Sequence, residues 1–340
     1  MVPFRRRFGL FMVFLGATLA SVGCGGTAGK APGPGAGKGL PTAERPAEGQ
    51  VIRAVATIFP IYDLVRQIGG DAVAVAQLVP PGAEPHAFEP SPSDIRKISD
   101  ADVFFYVGAG FERWLDNVRD NIDADRTMLV DVSQGIDLLS GHAHDHGDEH
   151  GDGHAEDHAR AATVDPHIWL SIANVKTIGQ TIAKALSERD PGHGADFQAN
   201  YDRLVQALDA LDRDFREGLK EAKTKRFIVA HQAFGYLARD YGLEQRAISG
   251  LSPEAEPTPK EMIEIINEIK AENIRYIGFE SLNESPVAKQ IQRETGAIAV
   301  ELSPIENVSK EAFADGIHYQ DLLKRNFDTL LIMLEARPAP

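Results

Sequence analysis

The 340-residue sequence contains one cysteine, Cys24. An intramolecular disulfide is therefore excluded, and so is a metal site built on several thiolates. Positive charge is also scarce: 35 Lys and Arg stand against 50 Asp and Glu, for a formal net charge of −15. A surface of that sign repels phosphate backbones, so nucleic acid is excluded as a partner, while a cation is an electrostatically compatible one. Long apolar runs are nearly missing. The exception, Phe8 to Ala20, is too short to remain as a membrane span.

That run follows Arg5-Arg6-Arg7 and precedes small residues ending at Cys24. A basic stretch, a short apolar core and small residues form a secretory signal. Cys24 at its end resembles the cleavage site of bacterial lipoproteins. Val22-Gly23 fits that pattern, and Ser21 departs from it, an aliphatic residue being usual there. Residues 1–24 are read as a lipoprotein signal, Cys24 as the lipidated residue, and the location as the periplasm or the extracytoplasmic face of a membrane. Residues 25–50 are Gly, Pro, Ala, Lys and Thr with few large apolar residues, the composition of a flexible tether.

From Val51 onward β-branched runs alternate with helical spacing. Arg53–Ile58, Val73–Val79, Val103–Val107 and Met128–Val132 read as strands, and Ile61–Ile68, Ser93–Ser99, Phe111–Val118 and Ile172–Leu186 as helices. The pattern resumes after residue 225, with strands at Phe227–Ala230, Gln245–Ile248, Tyr276–Phe279 and Ala297–Leu302. Helices are expected at Phe234–Tyr241, from Thr258-Pro259 to Lys270, from Ser285-Pro286 to Thr295, and over Asp315–Leu334. Such alternation implies parallel sheets covered on both faces. Between the halves, Phe197, Tyr201, Leu204, Leu208, Leu211, Phe215 and Leu219 mark one long amphipathic helix. The expected architecture is α/β, with two doubly wound lobes, residues 51–190 and 226–340, and a rigid connecting helix within 191–225.

Six of the eleven histidines, His142, His144, His146, His150, His154 and His158, alternate with Gly, Ala, Asp and Glu in a loop spanning 141–159. Such a run has no packing role and reads as weak, multivalent metal binding. Three others have rigid neighbours. His86 lies in a Pro/Gly loop after an expected strand, His167 between Pro166 and Ile-Trp-Leu, and His231 directly after a strand. His193 and His318 read as surface residues. In open parallel sheets ligands bind outside the carboxyl ends of the strands, where His86, His231, Glu280 and Ser303 all fall, with His167 in the segment before the first lobe's final helix. Three imidazoles without a thiolate favour Zn²⁺. Glu84, Glu89 and Asp165 are near enough in sequence to accept from the outer ring nitrogens. Imidazoles must shed their protons to bind metal, so affinity is expected to fall below about pH 6.

Three segments carry a family resemblance: Pro81-Gly-Ala-Glu-Pro-His-Ala-Phe-Glu-Pro-Ser-Pro-Ser-Asp94, Asp165-Pro-His-Ile-Trp-Leu170 and Ala230-His-Gln-Ala-Phe-Gly-Tyr236. From Val51 to the C-terminus the chain resembles the metal-binding lipoproteins of bacterial ABC importers, in the zinc-uptake branch of the ZnuA/TroA/PsaA group. The resemblance implies a non-catalytic, monomeric receptor that delivers Zn²⁺ as cargo to a permease and its ATPase. It implies His86, His167 and His231 as ligands, a third histidine replacing the glutamate of manganese members. The family's usual fourth ligand is an Asp in a turn after the last strand, where this chain has Ser303. Water, Glu280, Glu301, Glu306 or a loop histidine could complete the shell, with Glu280 the first choice. Other readings are a zinc-storage, scavenging or adhesin lipoprotein, a receptor for manganese or iron, and a zinc hydrolase with Glu280 as base, although no His-Glu-x-x-His helix is present.

Overall fold

Short β-branched and aromatic runs, buried at consecutive positions and so on both faces, form two parallel sheets. In the computed structural model, which describes residues 51–141, 164–282 and 285–337, the first sheet has the order β2-β1-β3-β4. Its strands are β1 (Ile52–Ala56), β2 (Val73–Gln77), β3 (Val103–Tyr106) and β4 (Met128–Asp131). The second repeats the arrangement as β6-β5-β7-β8, from β5 (Arg226–Val229), β6 (Glu244–Ala247), β7 (Tyr276–Phe279) and β8 (Ile298–Glu301). All pairings within these sheets are parallel. Cys24 and the six loop histidines lie outside the described residues.

Each sheet is covered on both faces. Phe105 of β3 points into a core shared with α1 (Phe59–Gly69), α4 (Ile172–Arg189) and α5 (Gly194–Leu219), while Phe104 faces the opposite way, toward α2 (Pro92–Asp100) and α3 (Leu115–Val118). In the second lobe, Val229 of β5 faces the shared core with α6 (Gly235–Tyr241) and α10 (Tyr319–Met333). Ile228 faces α7 (Pro259–Ala271) and α8 (Pro286–Thr295). A single buried cluster therefore runs through both lobes.

The connector is α5, 26 residues long and about 39 Å at 1.5 Å per residue. Its buried stripe is Phe197, Leu204, Leu208 and Phe215. Phe215 stacks on Phe327 of α10 at 3.9 Å between centroids and meets Tyr241 of α6 edge-on. At its other end Tyr201 packs over Gly179 of α4, where an added Cβ would sit 3.0 Å from the ring. Fastened along both lobes, α5 is a strut.

Two expected helices are shorter in the structure. The segment Phe111–Val118 is helical only over Leu115–Val118, because Gly108, Ala109 and Gly110 all take positive φ (74°, 51° and 78°) and form a loop. The helix expected over Asp315–Leu334 starts only at Tyr319, as α10, because Gly316 takes φ 72°; a separate short helix, α9 (Lys310–Ala314), precedes it. The main-chain N–H of Tyr319, at the start of α10, donates 2.7 Å to the buried Asp63 of α1.

Candidate metal centre

His86, His167 and His231 converge between the lobes. Each offers Nε2, and these atoms, together with a carboxylate oxygen of Glu306, lie within 4.8 Å of one another. Glu306 Oε1 is 3.1 Å from Nε2 of His86, 3.1 Å from that of His167 and 3.4 Å from that of His231. It is the one such grouping of three or more His, Cys, Asp or Glu among the described residues. His167, His231 and Glu306 are buried and His86 is partly exposed.

Topology places these groups. His231 and Glu280 leave the carboxyl ends of β5 and β7, which are paired neighbours, so they emerge side by side. The Nδ1–H of His231 donates to Glu280 in a short hydrogen bond. Glu280, expected as the fourth ligand, sits at the outer nitrogen of His231, while the carboxylate grouped with the three imidazoles is that of Glu306. On the first-lobe side, Asp165 accepts from both the main-chain N–H (3.0 Å) and Nδ1–H (2.8 Å) of His167. Both carboxylates fix the tautomer and aim the Nε2 lone pairs at one point. Glu84 accepts from the main-chain N–H of His86 at 3.0 Å. Glu89 and Glu301 are exposed.

Glu306 reaches the centre by an unusual turn. Ile305 is fully buried with φ 60°, a conformation costly for a β-branched residue. Ser303, in the position where an Asp ligand was considered, has its hydroxyl accept from Ile305 N–H at 3.1 Å, and its backbone is bracketed by Asn326. Serine here shapes the turn, and the carboxylate arrives three residues later. Local sequence gives no signal for that reversal.

Electrostatics follow from the carboxylates. Burial opposes charge on His231, but Glu280 and Glu306 outweigh it and raise its pKa to about 10. His167 is raised in the same way, with Asp165 and Glu306 overcoming burial. Glu306 is held well below the carboxylate range: burial works against this, and the three imidazoles prevail. Burial raises Glu84, reinforced by Glu306 and Glu280 and opposed by its bond from His86. The centre is thus a preformed nest in which protons and a cation compete for the same nitrogens.

Aromatic side chains wall it. Phe111 packs on His86 at 5.0 Å, and Trp169 meets His167 at 5.4 Å. The loop carrying Phe111 is secured by buried Glu112, which accepts from Val107 and Gly108 N–H at 2.8 and 3.0 Å. Burial raises that carboxyl to about 7 against those bonds. His193 and His318 lie apart, paired with Asp190 and Asp63.

Direct hydrogen bonds also join the lobes. Trp169 Nε1–H donates to Pro304 O at 2.7 Å, and Tyr236 O–H donates to Asp165 O at 2.7 Å while accepting from Leu139 N–H at 3.1 Å. Ser171 O–H also donates to Asp240.

Two parallel-sheet lobes on a helical strut, with four convergent ligand atoms between them, define a two-lobed binding protein whose ligand is a metal ion. No helix among the described residues is long and apolar enough to cross a membrane. The chain belongs to the ZnuA family, described as zinc-uptake complex component A, periplasmic, which it matches over residues 54–331. It is 37% identical over 289 residues to the zinc-binding protein AdcA of Streptococcus pyogenes, covering 84% of this chain and 56% of AdcA. It thus spans little more than half the length of that relative. It is 37% identical over 284 residues to the high-affinity zinc uptake system protein ZnuA of Bacillus subtilis, covering 84% of this chain and 88% of that one. The crystal structure of the Zn(II)-bound ZnuA-like domain of Streptococcus pneumoniae AdcA superposes with a TM-score of 0.70 at 32% identity, over 84% of this chain and 99% of that one. The family is one of solute-binding receptors.

Proposed function

We propose that this protein is an extracytoplasmic zinc receptor that holds Zn²⁺ on His86, His167, His231 and Glu306 and hands it to an ABC permease driven by its ATPase. The observation that carries this reading is the convergence of three Nε2 atoms and one carboxylate oxygen within 4.8 Å. Three neutral imidazoles and a carboxylate suit Zn²⁺, and four protein ligands close a tetrahedral shell. A closed shell leaves no position for an activated water, so the chemistry is capture and release, and the protein is not an enzyme. Glu280 and Asp165 serve as outer acceptors.

Lipidation at Cys24 would tether a monomeric receptor to the membrane face. The histidines His142 to His158 add weak sites that collect metal for the tight one. The test is a chelator-competition zinc titration of the protein beside its His231→Ala variant. One tight site lost in the variant, with weak binding retained, supports the reading. Tight binding that survives the substitution overturns it and moves the function to the His-rich segment, as storage or scavenging.

A further inference from the structure

Asn307 directly follows Glu306 and does not face the metal centre. Its side chain crosses to the first lobe. Nδ2 donates to Pro80 O at 2.8 Å and to Ala83 O at 2.9 Å, while Oδ1 accepts from Gln77 Nε2 at 2.9 Å and from Val308 N–H at 3.0 Å. All four hydrogen-bonding positions of the amide are filled, and the residue is 5% exposed.

The two carbonyls it grips belong to one tight turn. Ala83 N–H donates to Pro80 O at 3.0 Å, with Pro81 second and Gly82 third at φ 83°. That turn opens the segment carrying His86, and Glu84, its next residue, takes the His86 main-chain N–H. On the same stretch as Asn307, the carbonyl of Glu306 accepts from Phe59 N–H at 3.2 Å. The residue pair Glu306-Asn307 thus touches the centre with one side chain and the base of the His86 segment with the other.

We propose that Asn307 is a positioning residue: it fixes where His86 stands relative to Glu306, so that the most exposed imidazole is already in place before zinc arrives. The inference rests on the zinc site of the preceding section. His167 and His231 have carboxylate partners at Nδ1, and His86 is held through its backbone. Asn307 supplies from the second lobe what Asp165 and Glu280 supply to the other two.

The test is a double-mutant cycle on zinc affinity with Asn307→Asp, His86→Ala and the double variant, measured by chelator competition. Asn307→Asp keeps the acceptor toward Gln77 and Val308 and turns two donors into an oxygen facing two carbonyls. In the otherwise native protein it is expected to weaken zinc about 10–100-fold, the range for groups that orient ligands. In the His86→Ala background it is expected to change affinity less than about threefold, because there is no imidazole left to position. An equal loss in both backgrounds, or none in the native one, overturns the proposal. If His86→Ala itself binds zinc as tightly as the native protein, the site reading fails and this inference falls with it, which is a separable result. Gly82→Ala provides the same cycle from the exposed side of the turn, should Asn307→Asp not fold. A Cβ there meets nothing within 4 Å but is strained by the positive φ. The same two patterns of affinity decide.

Discussion

Replacing Glu306 by Gln removes one charge from the centre while preserving shape. Glu306 is 4% exposed and contacts three imidazole nitrogens. Loss of one partner from a buried, hydrogen-bonded charge set costs about 3–5 kcal/mol. That corresponds to about 100- to 4,000-fold in affinity. Part of the loss is returned. In the metal-free protein Glu306 also holds protons on His167 and His231, so removing it lowers their pKa values and relieves proton competition. The net expectation is a weakening near the lower end, about 100-fold at pH 7.5, with a shallower dependence on pH than the native protein. Chelator-competition titrations at pH 6.5, 7.5 and 8.5 on both proteins check it. A variant within about threefold of native at all three values, or an equal slope in the two proteins, would refute the assignment of Glu306 as a ligand.

Zinc affinity of the native protein should rise with pH well above the ordinary imidazole range. His231 is raised to about 10, so binding expels its proton throughout pH 6.5 to 9, worth about tenfold per pH unit per proton released. A flat affinity between pH 7 and 9 would contradict this. In the metal-free protein the same raised pKa contributes stability that is present below the unfolded value and lost as pH rises toward 10. Thermal unfolding should therefore show the empty form weakening from pH 8 to 10 and the zinc stabilisation growing. Gly235→Ala places a Cβ 2.6 Å from Asp165 Oδ2, pushing that carboxylate off His167. Zinc affinity should drop about 10–100-fold, and unchanged affinity would show that Asp165 does not tune the site. Deletion of residues 141–159 should lower the total zinc stoichiometry and slow capture at low metal, while the tight constant stays within about twofold. Loss of the tight constant would place it in that loop.

Much of this was legible in the sequence for identifiable reasons. His86, His167 and His231 stood out because proline, aromatics or a strand end fixed their backbones, and Asp165 lay two residues before His167. Strand-helix alternation gave the order of elements, and Ser285-Pro286 and Thr258-Pro259 marked helix starts that the structure retains. The fourth metal-facing group was not legible in the same way. Glu280 looked closer because it ends a strand, but β7 lies beside β5 and delivers it to the far edge of His231. Glu306 depends on the left-handed Ile305, whose strain is held by Ser303, Asn326 and the opposite lobe. Ser303 is in the local sequence, but Asn326 and Phe59 lie outside any window around residue 306. The shortened helix before Leu115 has a similar origin, in a loop closed by a buried carboxylate.

The strut α5 and the cross-lobe bonds have a consequence for transport. A receptor stiffened along its whole height would be expected to keep nearly the same silhouette full and empty. An importer that docks it by outline would be engaged by both forms, so surplus empty receptor would act as a competitive brake on uptake at fixed zinc. The signal that separates the two would have to be carried by a few side chains at the mouth of the cleft.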